Sequence, residues 1–182
     1  VADKTDKTQK VVWMDISLLR TPKHMLRTHK ATYVKELAQV LRESGGDKTP
    51  AHWPFVRETI QVRALPKQDI GADVTGKKHE APQLYEILDG NHRVRAAVEC
   101  KMEKVPVEVV VPKTDADAFM LQLDRNIANG LFLDKDERDA AIRRLALEYK
   151  VSQAVLVKKY RLSKASVSRI CKPTGSTQRT GK

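Results

Sequence analysis

The sequence predicts an α+β chain, a small mixed sheet with helices followed by an all-α segment, on three observations. Short β-branched runs alternate with helix-spaced stretches as far as Val111. From Asp115 onward only helical spacing recurs. The charge is also uneven: the formal net charge is +11 over 182 residues, yet residues 151–182 hold eight Lys or Arg and no Asp or Glu.

Composition narrows the class. An apolar fraction of 41% beside 31% charged residues describes a soluble globular chain able to bury a core. The positive field attracts polyanions, either nucleic acid or an acidic membrane leaflet. No apolar run reaches the roughly 18 residues of a membrane span, and residues 1–10 lack the apolar region of a signal peptide, so a cytoplasmic location is expected. Cys100 and Cys171 lie far apart, which suggests neither a metal knuckle nor a disulfide scaffold.

Residues 1–10 are polar and charged and read as a flexible tail. Residues 11–16 form an apolar, β-branched run that predicts a strand, with Ile16, Leu18 and Leu19 continuing it toward the break at Pro22. Lys23, His24, Arg27, His29 and Lys30 then make a basic connection, which fits a solvated loop or a second anion contact. Val34, Leu37, Ala38 and Leu41 recur at the spacing of an amphipathic helix that Gly45-Gly46 ends. Residues 59–64 alternate, placing Ile60, Val62 and Ala64 inward and Gln61 and Arg63 outward on a strand. Residues 66–82 carry Gly71, Gly76 and mixed charges and read as a long hydrophilic insertion, of the kind that is either functional or mobile.

The most informative stretch is 85–97. An apolar run, 84–88, breaks at Asp89-Gly90, and helical spacing begins at Asn91, with Ala96, Ala97 and Val98 available to face a core. A strand, a tight turn and a helix bring the unsatisfied N–H groups of a helix N-terminus together with His92, Arg93 and Arg95. The dipole and those N–H groups favour an anion, and the guanidinium forks match phosphate oxygens. An ordinary strand-to-helix connection with solvated arginines fits the same residues. Residues 105–111 follow as an apolar strand with Pro106 at its start.

Asp115 and Asp117 open a helix whose dipole they complement, running to about Asn129-Gly130. Asp134, with Glu137 three residues later, predicts a capping box, and Ala141, Ile142, Leu145, Ala146 and Tyr149 form the next apolar stripe. Residues 152–160 predict a short helix, 161–162 a turn, and 163–170 a second helix capped by Ser163. Val157, Leu162, Val167 and Ile170 sit where the two helices of a helix-turn-helix cross, and Lys164, Ser166, Ser168 and Arg169 face outward. With Ser163 and Lys172, these are the candidate DNA contacts. Two short helices that merely complete a bundle are the plainer alternative, which would not require the one-sided charge. Residues 173–182 read as a flexible basic tail.

The run Asp89-Gly90-Asn91-His92-Arg93-Val94-Arg95-Ala96-Ala97 resembles the Gly-x-x-Arg-x-x-Ala phosphate motif of the ParB/sulfiredoxin superfamily. The order of strands and helices before it resembles the ParB N-terminal domain, and the last two helices resemble the helix-turn-helix of ParB and of bacterial repressors. Arg161 stands where a Gly is usual in that turn. Asn91 replaces the reactive cysteine of sulfiredoxins, so no sulfinic-acid reductase is implied. Partition-type ParB proteins usually read Gly-Glu-Arg-Arg; the form found here is more similar to StrR-type regulators and to ParB-like kinases and nucleases. A second phosphate motif, Glu-Asn-x-x-Arg in ParB, is represented by Asn126 alone, with Arg125 in place of the Glu and Asn129 in place of the Arg. A polar helix end capped by Asn129 and Gly130 explains that segment equally.

The resemblance implies a ParB/Srx-like nucleotide-binding domain over 11–114 and a helix-turn-helix DNA-binding domain over 115–172. It implies CTP or ATP, with or without Mg, held by Gly90, Asn91, His92, Arg93, Arg95 and Asn126, or a pocket that stays empty. The implied partners are double-stranded DNA and a second copy of the chain. Partition members usually add a C-terminal dimerisation domain, which is not expected here after Lys182. The implied function is partition or transcription regulation on a plasmid or nucleoid. The alternative is an enzyme of the same fold, a nuclease or an ATP-dependent kinase, with Asp89 or Glu86 as base or metal ligand and His92 as acid.

Overall fold

Val11–Asp15 forms β1, which pairs antiparallel with β7, Lys104–Val109, in the register Val11 to Glu108 through Asp15 to Lys104. The remaining strands of the main sheet are β2, Leu19–Arg20, β3, Ile60–Ala64, and β6, Tyr85–Asp89. The computed structural model describes residues 11–24, 26, 31–47, 52–55, 59–67, 69–72, 78–80, 82–128 and 133–172. The expected tails at 1–10 and 173–182, the cations Arg27, His29 and Lys30, and the expected helix end at Asn129-Gly130 lie outside the described residues.

The sheet order is β1-β7-β3-β6-β2, mixed in direction, with β3 parallel to β7 and β2 parallel to β6. β1 and β2 therefore occupy opposite edges, although only the 3-10 turn Ile16–Leu18 separates them. Laid flat, the two edges would stand about 19 Å apart, four inter-strand spacings. Four residue steps from Asp15 to Leu19 reach about 14 Å even when fully extended. The sheet must curl. The expectation of one strand continuing through Leu19 is corrected accordingly: the turn lets the chain leave one edge and join the other.

Two helices accompany this sheet. In α1, Ala31–Ser44, the buried residues are Val34, Leu37, Ala38 and Leu41, the stripe that spacing predicts. It ends in a Schellman motif, with Gly45 at φ 70°, its N–H on Arg42 O at 3.1 Å and the Gly46 N–H on Leu41 O at 3.0 Å. The second helix, α2, is Asn91–Glu99 and buries Ala96 and Ala97, whereas Val98 is exposed, against expectation. One apolar cluster joins the sheet and both helices through Leu41, Ile60, Val62, Val94, Val105 and Val107.

Three further expectations are corrected. Gln61 is buried and Ala64 exposed. β3 lies in the middle of the sheet and its register with β6 shifts between Gln61 and Val62, so strict alternation fails there, and Gln61 donates to Glu108 Oε2 at 2.8 Å. The 66–82 insertion contains β4, Asp69–Ala72, and β5, Lys78–Glu80, paired antiparallel as a sheet of their own. β7 begins at Lys104, so Pro106 is its third residue, and Val111 lies beyond it, exposed.

The chain divides into two compact units, residues 1–113 and 114–182. The second is helical: α3, Asp115–Ala128, α4, Lys135–Leu147, α5, Gln153–Tyr160, and α6, Lys164–Cys171. Asp134 and Glu137 form the expected capping box at the head of α4. Phe119, Leu123, Ile142, Leu145, Leu156, Val167 and Ile170 are buried. Leu156, not Val157, is the fully buried apolar residue of α5, one position off the expected stripe. Between α5 and α6 Arg161 holds φ 52° and ψ 38°, a left-handed conformation that costs a non-glycine residue. Arg161→Gly should therefore stabilise the chain by up to about 1 kcal/mol in urea denaturation; a destabilised variant would show that the Arg161 side chain contributes more than the strain it imposes.

Candidate functional site

Three residues build the turn that opens α2. Asp89, at the end of β6, accepts the Gly90 N–H on Oδ1 at 2.7 Å, and its Oδ2 lies 3.4 Å from Arg93 Nη2. Gly90 is the N-cap, at φ 91° and ψ 17°. Both the angle and the space require glycine: a Cβ there would stand 2.9 Å from Ile60 Cγ1 and 3.0 Å from Arg93 Nη2. The Arg93 guanidinium thus packs against the glycine, and Arg93 as a whole is only 6% exposed.

A glycine cap offers no side-chain acceptor, and no acidic residue stands in the first turn of α2. The first intrahelical bond is Val94 N–H to Gly90 O at 3.0 Å. The N–H groups of Asn91, His92 and Arg93 therefore belong to the part of a helix that its own backbone leaves unsatisfied, where the dipole is positive. Asn91 and His92 are half-buried at this end and Arg95 is exposed one turn on. The His92 ring meets Tyr33 of α1 edge-on, centroids 5.4 Å apart. This arrangement suits an oxyanion.

Of the expected nucleotide-binding residues, Gly90, Asn91, His92, Arg93 and Arg95 come together at this helix end. Asn126 belongs to α3 in the second unit, where its Nδ2 donates to Gln122 O at 2.8 Å. Glu86 is buried: its Oε2 accepts Arg63 Nε at 2.6 Å and its Oε1 accepts the Lys23 N–H at 3.1 Å. Glu86 thereby fastens the segment after β2 to the sheet, and Asp89 clasps the turn. Among the described residues no group of three His, Cys, Asp or Glu stands ready to hold a metal. Both thiols are pushed up by burial, Cys100 against the opposing effect of Arg42 and Cys171 against that of Arg143, so neither is an activated nucleophile.

A second cationic surface lies on α5 and α6. Lys164, Ser168, Arg169 and Lys172 are exposed, as is Ser163. Ser163 caps α6 by accepting the Ser166 N–H at 3.0 Å, and the two hydroxyls bond to each other at 2.9 Å, so Ser163 and Ser166 shape the helix entry. Arg143 of α4 donates from Nε to Ile170 O at 2.6 Å and fixes the far end of α6. Lys159 of α5 pairs with Asp124 at 2.7 Å. Burial, then the Asp124 carboxylate, push the Tyr160 phenol far above its ordinary value, leaving it neutral.

Sequence reasoning missed the clasp by Asp89, whose signal was an acid four residues before an arginine across a glycine. It also missed the Glu86 latch, which joins residues 63 positions apart and leaves no local pattern. Gly90→Ala should lower stability by about 2 kcal/mol through the strained φ alone, with the Ile60 and Arg93 contacts adding to it. Thermal or urea unfolding reads this directly; a neutral Gly90→Ala would contradict the packed turn.

A search of curated proteins returns no match. Among solved structures, the C-terminally truncated chromosome-partitioning protein ParB from Caulobacter crescentus, complexed to the centromeric parS site, is similar with a TM-score of 0.51 and 19% identity, covering 88% of this chain and 70% of that one. The same Caulobacter protein complexed with CTP-gamma-S is similar with a TM-score of 0.45 and 21% identity, covering 89% of this chain and 77% of that one. The sequence model of the ParB N-terminal domain matches residues 1–127, which take in the sheet, the α2 turn and nearly all of α3. This chain belongs to the ParB N-terminal domain family.

Proposed function

We propose that this chain is a DNA-binding partition or regulatory protein whose first unit binds a nucleoside triphosphate, CTP or ATP, as a switch, and whose α5 and α6 form a helix-turn-helix on duplex DNA. The observation that carries the reading is the α2 turn: a left-handed glycine, an acid-free helix N-terminus and the guanidinium of Arg93 packed against it. Phosphate oxygens take the N–H groups of Asn91, His92 and Arg93, while Arg95 supplies an exposed cation. Arg93 acts mainly by shaping the turn.

For DNA, Lys164, Ser168, Arg169 and Lys172 present cations and a hydroxyl along one short helix, and described residues 153–172 contain no carboxylate side chain. The Caulobacter ParB is complexed to parS, and membership of its family supports the same class of partner here. With Glu86 and Asp89 both bonded to cations, the geometry favours this reading over a nuclease or kinase.

Melting the intact chain with each of the four nucleoside triphosphates, with and without duplex DNA, tests the switch. At a hundredfold excess over Kd the right nucleotide should raise Tm by about 5 °C or more, and Arg95→Ala should shrink that shift while the variant's own Tm stays near wild type. No shift with any nucleotide would leave DNA binding alone. In binding titrations on duplex DNA, Lys164→Ala and Arg169→Ala should each weaken affinity, and losing one phosphate contact should lower the logarithmic salt slope by about 1. Unchanged affinity in both would remove α6 from the DNA interface.

A further inference from the structure

Among the described residues, three that are not glycine hold a left-handed backbone, and all three are cations: Lys101 at φ 59°, Lys150 at φ 57° and Arg161 at φ 52°. Each follows a helix, where the dipole favours a positive charge, but the conformation still costs any residue that carries a Cβ. The fold does not demand a side chain at such a place. Gly45 ends α1 in the same motif that Arg161 completes after α5, where the Leu162 N–H meets Val157 O at 3.3 Å.

Two of these cations belong to a short repeat. Lys150-Val151-Ser152 leads into α5 and Arg161-Leu162-Ser163 into α6; in both, the serine caps the helix and the cation stands two residues before it. Both cations are exposed, and neither makes a hydrogen bond or ion pair with a described residue. From Tyr149 to Lys172 the sequence carries no Asp or Glu, so no carboxylate follows either of them along this segment. The pair is separated by α5, whose eight residues span about 12 Å at the helical rise. That is close to the width of the DNA major groove, roughly 12 Å. We infer that Lys150 and Arg161 are phosphate contacts at the two rims of the groove that takes α6. This role rests on the helix-turn-helix reading above and extends it to two residues outside the α6 surface. It gives the strained arginine a function that glycine in the same turn could not supply. Such contacts position a protein on the duplex and carry no sequence information.

Opposite signs in stability and in binding separate this role from a structural one. Arg161→Gly and Lys150→Gly remove the cation and relieve the backbone, so both full-length variants should resist urea at least as well as wild type. On labelled random-sequence duplexes each should bind several-fold more weakly at low salt, with the logarithmic salt slope lower by about 1. Duplexes of different sequence should lose affinity by the same factor. Lys101→Gly, the same change in the first unit, should leave affinity and slope at their wild-type values. Wild-type affinity and slope in either Lys150→Gly or Arg161→Gly, while Lys164→Ala and Arg169→Ala weaken binding, would overturn the inference and leave α6 in the interface. Weaker binding in a variant that is also less stable would mark the residue as structural and overturn it too. So would an equal loss in Lys101→Gly, which would reduce the effect to net charge. If wild type binds no duplex, or if the α6 substitutions are silent as well, the helix-turn-helix reading itself falls, and the phosphate contacts fall with it.

Discussion

The contact of Arg93 with Gly90, held by Asp89, is the constraint on which the first unit's site depends. Asp89 ends β6, Gly90 reverses the chain in a conformation that only glycine accepts cheaply, and Arg93 closes back over it from the first turn of α2. A half-buried ion pair of this kind contributes little net stability compared with an apolar replacement, but it strongly penalises loss of either partner. What it secures is direction. The helix must start at Asn91, so its positive end lies just past the end of β6.

The rest of the unit holds that helix end in place. The edges of the sheet are joined through a three-residue turn, so the sheet curls and carries Leu19 and Thr21 round toward α1 and α2. Glu86 then ties the chain just past β2, at Lys23, to the same strand that ends in Asp89. One strand thus anchors both the turn into α2 and the chain just past β2. In the proposed switch, a nucleotide held at that turn bears on α2 and β6 together.

Much of this was legible in residues close in sequence. The Schellman end at Gly45-Gly46, the capping box at Asp134 and Glu137, and the strand, turn and helix at 85–97 all follow from local patterns, and all form. Where long-range pairing decides, local reading failed. Ile16 and Leu18 look like strand residues, but the curl makes them a turn. Gln61 looks outward, yet a central position and a register shift bury it on Glu108. Glu86 and Asp89 looked like a candidate base or metal ligand because a carboxylate near a phosphate-type turn suggests chemistry, whereas their partners, Arg63, Lys23 and Arg93, give them structural duties.

The proposed function turns on phosphate binding at the N-terminus of α2. Backbone amide chemical shifts of the full chain, followed by heteronuclear NMR as a nucleoside triphosphate is added, test it most directly. Phosphate held there should give the largest shifts at the amides of Asn91, His92 and Arg93, saturating with the nucleotide. Saturable binding that leaves those three amides unmoved would contradict it.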